Sequence, residues 1–463
     1  MSLRNASRRR FLGTASALSI AGPAGLPFAL NLATIGAAAA QATSDYRALV
    51  CLFMFGGNDS HNMVLATDPD SWSAYQAARN AAPSPITLPG PAETGGVLPF
   101  SPATAQAGRS FALHPNMGEL RGLFDAGRAA VVANVGPLLA PTTKQQYSAR
   151  SVPLPPKLFS HNDQQSTWQA HAPEGARVGW GGRMGDLLAS MNGQSTFTCI
   201  SASGNAVWLS GEATLQYQVG AGGAVAIGGL TGSLFGSSSA ANPLQAIVAG
   251  DRGNPFEREY NRVTKRSIDA QQMLNASMVP AATLEEPPAG NGLAGQLLTV
   301  ARLIGGRSVL GARRQVFFVG VGGFDTHDNQ TANHGALMGR ASQAIAYFDR
   351  LLGSVGAQAE TTLFTASDFG RTLTSNGDGT DHGWGSHHLV MGGSVRGGDL
   401  YGRYPIVGVG TPDDVGQGRL LPALSVDQYG ATLARWFGLS ESQIGDVFPN
   451  LANFTARDLG FMA

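Results

Sequence analysis

Residues 48–57 read Ala48-Leu49-Val50-Cys51-Leu52-Phe53-Met54-Phe55-Gly56-Gly57. Eight apolar residues in a row, with no alternating polar position, suit a strand covered on both faces. Such strands belong to parallel sheets flanked by helices. The run stops at two glycines, which let the backbone turn sharply. Outward from this stretch, strands are predicted over 129–135, 315–321, 361–366 and 388–391. Helices are predicted over 116–127, 335–352 and 426–437; in the first, Leu120, Leu123 and Phe124 share one face. Strands alternating with helices predict an α/β fold with a central, mostly parallel sheet.

The rest of the chain bounds its organisation. Lys+Arg and Asp+Glu each number 31 among 463 residues, and charged residues make up 13%, against about 25% in typical chains. No basic excess marks a nucleic-acid partner. A hydrophobic share of 43% is too high for a disordered chain. The 62 glycines follow no strict period, which excludes collagen. At the N-terminus, Ser7-Arg8-Arg9-Arg10-Phe11-Leu12 and a weakly apolar run read as a twin-arginine export signal. Ala40-Gln41-Ala42 offers a small-x-small cleavage site. The expectation is a signal peptide over 1–42, a domain over 43–463, the twin-arginine translocase as a partner, and a periplasmic or secreted location. Gly22, Pro23, Gly25 and Pro27 interrupt the apolar run, and no stable membrane span is expected in the mature protein. Residues 204–250, rich in Gly, Ala and Ser, read as an inserted loop or small β element. A helix-compatible stretch over 252–278 and a linker over 280–292 complete an insertion at about 204–292. Cys51 and Cys199 sit in strand-like runs and read as buried free thiols, a disulfide being the alternative.

Polar residues gather where strands end, which is where open α/β sheets bind ligands. Gly56-Gly57-Asn58-Asp59 follows the first strand; Asp59 is either a ligand pointing into a cleft or an Asx-type cap of a tight turn. Gly322-Gly323-Phe324-Asp325-Thr326-His327 follows the strand over 315–321, and Asp325 and His327, two apart, fall on one side of an extended segment. Ser367-Asp368-Phe369-Gly370-Arg371 follows the strand over 361–366, and Asp381-His382 lies beyond. Asp59, Asp325, His327, Asp368, Asp381 and His382 offer oxygen and nitrogen without thiolate. That donor set suits zinc, manganese, magnesium or calcium. The rival reading is a hydrogen-bond network that stabilises glycine-rich loops.

These segments carry a resemblance. Leu52-Phe53-Met54-Phe55-Gly56-Gly57-Asn58-Asp59, Ala112-Leu113-His114-Pro115, Ser160-His161 with Trp168-Gln169, and Gly179-Trp180-Gly181-Gly182-Arg183 occur in order. The Asp325, Asp368 and Asp381-His382-Gly383 segments follow. Together they resemble a large exported bacterial family, domain of unknown function 1501, which is assigned to the alkaline phosphatase and sulfatase superfamily. The resemblance implies an alkaline phosphatase-like three-layer sandwich and a divalent metal. It makes Asp59 a ligand of one metal, Asp325 and His327 ligands of a second, and His382 or His387 the final histidine. Phe369 stands where the superfamily usually has His. Leu113-His114-Pro115-Asn116 stands where it has a Ser, Thr or Cys nucleophile, with Ser110 the nearest hydroxyl and Ser60 an alternative. No Cys-x-Pro-Ser-Arg motif is present.

The catalytic candidates are therefore His114, as base or nucleophile at a helix N-terminus, His161, and Arg371 as a fork for anionic oxygens of a small substrate. The expected function is hydrolysis of phosphate or sulfate esters. The alternative is a catalytically inactive exported binding or accessory protein that keeps the fold.

Overall fold

The apolar run forms β1 (Arg47–Met54), every residue of which after Arg47 is buried. A small antiparallel sheet follows, of β2 (Val64–Ala66), β3 (Leu98–Phe100) and β4 (Phe111–Leu113), with α1 (Pro69–Arg79) between β2 and β3. Next come α2 (Gly118–Asp125), β5 (Ala129–Gly136), α3 (Lys144–Ala149), α4 (His161–Ala170), α5 (Trp180–Leu188) and β6 (Cys199–Ser201). Then come β7 (Tyr217–Gly220), β8 (Gly223–Ala224), α6 (Pro255–Ser277), α7 (Gly292–Gly305), β9 (Arg314–Val321) and α8 (Gln330–Ser354). The chain closes with β10 (Thr361–Ser367), β11 (Ser386–Gly392), β12 (Leu400–Tyr401), β13 (Leu424–Ser425), α9 (Val426–Phe437) and α10 (Glu441–Val447). The computed structural model describes residues 46–81, 83–227 and 253–463, with single positions or short stretches at 237, 243, 246–248 and 250. The expected signal peptide and much of the Gly/Ala/Ser-rich stretch lie outside the described residues. Residues 47–463 form one compact unit.

The main sheet runs β12-β5-β11-β10-β1-β9-β6-β7-β8, with β13 also beside β5. β1 pairs in parallel with β9 and β10, β6 with β9 and β7; β11 runs antiparallel to β10 and β5. Alternation along β1 sends Leu49, Cys51 and Phe53 to one face, where they pack with Trp180, Met184 and Leu188 of α5 and with residues of α9 and α10. α7 and α8 pack together and against β9 and β11 respectively, outside that cluster. The fold is thus α/β, with a large, mostly parallel sheet and flanking helices. The expected insertion extends the sheet through β7 and β8 and adds α6, whose first turn Asn254 caps. Both cysteines are buried free thiols. Among the described residues no helix is long and apolar enough to cross a membrane.

The predicted helix 426–437 coincides with α9, which a Ser425–Gln428 capping box opens and left-handed Gly438 closes. α2 starts later than predicted, at Gly118. The Asn116 N–H is taken by His114 Nδ1 at 3.0 Å, so Pro115 and Asn116 form a turn instead of a first helical turn.

Register explains where polar residues meet. Met54 sits opposite both Ser367 and Val321. Three chain segments therefore leave the sheet side by side, carrying Asp59, Asp325 and Asp368. Because β11 is antiparallel to β10, the segment entering it brings His382 to the same edge, and a bridge joins His382 to Arg371.

Candidate metal centre

Two glycines let these segments close on each other. Gly56 and Gly57 take φ of 114° and 85°, a region that side chains disfavour. A Cβ on Gly56 would lie 2.3 Å from the Asp325 nitrogen, and one on Gly57 2.3 Å from the Phe369 ring. Phe369 in turn packs under the His161 and His382 rings, with centroids 4.8 and 4.7 Å away.

Above Phe369, four donors converge. His161 Nε2 lies 3.4 Å from Asp325 Oδ2 and 3.1 Å from His382 Nε2. His382 Nε2 lies 3.3 Å from Asp325 Oδ1. His327 Nε2 lies 2.9 Å from His382 Nε2 and 3.1 Å from Asp325 Oδ1. His161, Asp325 and His382 form a set whose donor atoms all lie within 4.8 Å of one another. The Asp325 side chain is 45% exposed, and His161 and His382 are 27% and 26% exposed, so the cluster opens to solvent.

The opposite ring nitrogens are held from behind. His382 Nδ1 donates to the Phe159 carbonyl at 2.8 Å. A carbonyl only accepts, so the proton sits on Nδ1 and the Nε2 lone pair faces the cluster. His161 Nδ1 lies 2.7 Å from Asp368 Oδ2, and His327 Nδ1 lies 3.4 Å from Asp381 Oδ1. Metal-binding histidines are held in this way, by a carboxylate or carbonyl on the far nitrogen.

A divalent cation fits this arrangement. The His382 Nε2 lone pair faces two imidazole nitrogens at 2.9 and 3.1 Å, and it is satisfied by a proton on one of them or by a cation among the three. Two ligands about 2.0–2.1 Å from one ion lie about 3.4 Å apart at a tetrahedral angle, near the spacings seen. Asp368 Oδ1 is buried without a partner among the described residues, a further polar atom at this edge.

Charge supports the same reading. Burial raises the Asp325 pKa, but the Arg371 guanidinium, 2.8 Å from Oδ1, outweighs it and holds the carboxyl below its ordinary value. The bond to Asp368 raises the His161 pKa, and burial lowers that of His382. Arg371 is wholly buried; its nitrogens also donate to Gly56 O at 3.0 Å, to Thr380 Oγ1 at 3.1 Å and to the Thr380 carbonyl. Each of its three nitrogens is engaged inside the protein, where together they aim Asp325.

The other sequence candidates take separate places. Asp368 backs His161, and Asp381 backs His327 while accepting from Asn376 at 3.1 Å. Asp59 does not join the cluster: it caps the turn Ser60–Asn62, and Arg79 grips its carboxylate at 2.5 and 2.8 Å. Gln330 adds a third contact at 2.6 Å. His114 is not at a helix N-terminus; it is buried at the end of β4 beside His334, and burial lowers its pKa to about 3. His387 is buried and accepts from the Asn134 N–H. Sequence reasoning missed Gln165, whose Nε2 donates to Asp368 Oδ2 at 2.7 Å. Its spacing of four from His161 on α4 was the available signal, because it places both on one helix face. It also missed Arg79 and Phe159, which no local pattern marks.

Fold and cluster together define an α/β protein with a candidate cation centre at the carboxyl edge of its sheet. The chain belongs to the family described as protein of unknown function (DUF1501), whose model matches residues 46–448. No curated protein matches it. Among solved structures it is similar to Ps i-CgsB in complex with k-i-k-neocarrahexaose, at 9% identity and a TM-score of 0.36, over 86% of this chain and 74% of that one. A mutant of alkaline phosphatase PafA is similar at 10% identity and a TM-score of 0.29, over 71% of this chain and 64% of that one. Phosphonate monoester hydrolase SpPMH from Silicibacter pomeroyi is similar at 11% identity and a TM-score of 0.27, over 70% and 69%.

Proposed function

We propose that this protein is an exported metal-dependent hydrolase acting on phosphate or sulfate esters. The observation that carries the metal half is the convergence of His161, His327 and His382 Nε2 on Asp325, with the far nitrogens of His161 and His382 held by hydrogen bonds from within the protein. The ester half rests on the family resemblance of the strand-end motifs. His161, Asp325 and His382 would hold the ion, with His327 beside them. The imidazole-rich set favours zinc over manganese, magnesium or calcium. When bound, such an ion polarises ester oxygens and acidifies water. Asp368, Asp381 and the Phe159 carbonyl orient the imidazoles, and Arg371 orients Asp325. Export rests on Arg8, Arg9 and the Ala40-Gln41-Ala42 site; retention in cells that lack the twin-arginine translocase would support it.

The test is elemental analysis of the purified protein, then a panel of phosphate mono- and diesters and sulfate esters. A stoichiometric divalent ion, and turnover that Asp325→Asn removes, are expected. Metal-loaded protein that turns over no ester sinks the hydrolase reading. A second reading, an inactive binding protein, is favoured by Arg371, whose three nitrogens are all engaged within the fold.

A further inference from the structure

Phe159, whose carbonyl accepts from His382 Nδ1, also lines a cavity of about 620 Å³ that opens along residues 147–159. Tyr147, Leu154, Leu158 and Phe159 give it apolar walls, continuous with the cluster around buried Trp384. Arg150 and Lys157 also line it, and no carboxylate does. Lys157 lies 3.5 Å from Asp163 but stays 68% exposed. Arg150 makes no ion pair among the described residues.

The backbone here is unusual. Arg150, Lys157 and Phe159 take φ of 50°, 47° and 72°, three non-glycine residues in the left-handed region within one short loop. A bulky aromatic there is a true outlier, and such strain persists only where its surroundings fix it, often at ligand sites. What fixes Phe159 is visible. Its carbonyl accepts from His382 Nδ1, and the Arg419 guanidinium lies 5.1 Å over its ring. Arg419 Nε also donates to the His382 carbonyl at 2.6 Å. The cavity wall and the candidate metal ligand are one mechanical unit.

We infer that this cavity binds an amphiphilic anion, with an alkyl or aryl body against Tyr147, Leu154, Leu158 and Phe159 and an anionic head on Arg150 and Lys157. Its volume lies in the range of small-molecule sites, about 300–1,000 Å³. The inference needs no turnover and stands apart from the hydrolase reading. The same chemistry occurs in a separate ligand, such as a fatty acid, and in the organic remainder of an ester held at the metal centre. The position of the head group distinguishes the two.

The probe is octyl sulfate below its micelle concentration, titrated into the mature chain by calorimetry. Saturable binding is expected, about tenfold tighter than that of octyl glucoside or inorganic sulfate, as charge-assisted contacts allow. In the double variant Arg150→Met, Lys157→Met, the advantage of the sulfate over the glucoside should vanish while glucoside binding stays. Leu154→Glu, at a half-buried position, should abolish both; near-ultraviolet circular dichroism checks that the fold is kept. Equal binding of sulfate and glucoside to the parent protein overturns the inference. So does binding that strengthens with zinc, falls in His382→Ala and ignores Arg150 and Lys157, because it places the head at the metal centre. Equal binding with and without zinc supports a separate ligand.

Discussion

The Asp59 and Asp325 carboxylates both follow strands of one parallel sheet, and both meet a buried arginine. Their surroundings then diverge. Asp59 is wholly buried, and Arg79, Gln330 and the His61 N–H fill both its oxygens. Asp325 meets Arg371 through Oδ1 only and remains nearly half exposed, with Oδ2 toward His161. A carboxylate accepts at about four lone-pair positions. Where the protein fills them, the residue holds a loop; where it leaves them open beside imidazole lone pairs, the residue is available to a cation.

Acid should break the inner region, the buried surroundings of Asp59, most severely. Burial lowers the pKa of His61 and His334 to about 4 and of His114 to about 3, from an ordinary 6.5. The unfolded chain therefore takes up protons first. The contribution of these neutral histidines is complete above about pH 6.5 and is lost as pH falls toward 4 and then 3. Asp59 works the same way at lower pH: burial raises its pKa, Arg79 outweighs this and brings it to about 2, so its contribution is lost only below about 3.8. Unfolding followed by circular dichroism should show a steep loss of stability between pH 6.5 and 4. A flat profile there would remove the histidines from the inner region's account.

The next effect in size is Asp59→Ala, which strands the buried Arg79 charge. A loss of about 3–5 kcal/mol in denaturant unfolding is expected. A loss below about 1 kcal/mol would erase the contrast between the two aspartates. His382→Ala should act in the opposite sense. It should cost bound metal, measured by elemental analysis, while it changes unfolding far less than Asp59→Ala does. Smaller again is Asp368→Asn, which weakens the partner of His161 without touching the converging nitrogens. Zinc affinity by competition with a chelator should fall about 10–100-fold, and Gln165→Leu should fall short of that. An unchanged affinity in Asp368→Asn would sharpen the picture by reducing the centre to His327, His382 and Asp325.

Much of the fold was legible from the sequence. The unbroken apolar run of β1 can be satisfied only between two covered faces, and the cap residues of α9 fix its ends locally. The start of α2 was not legible, because a side chain, His114 Nδ1, intercepts the Asn116 N–H. At the site, strand-end positions announced Asp325, His327 and His382. The separate role of Asp368 depends on where α4 docks, and the pairing of Asp59 depends on Arg79 of α1. Both are tertiary facts with no local pattern. The Asx-cap reading of Asp59 was open in the sequence, and the structure shows that geometry.

The place of β1 also says something about timing. Its first paired residues meet Arg314 on one side and Thr361 on the other. A growing chain exposes this apolar strand from the start and gives it neither neighbour until most of the protein has been made. Folding dominated by such distant pairings is slow and leaves sticky intermediates. An export route that waits for a finished fold would suit a protein whose opening strand finds its neighbours so late.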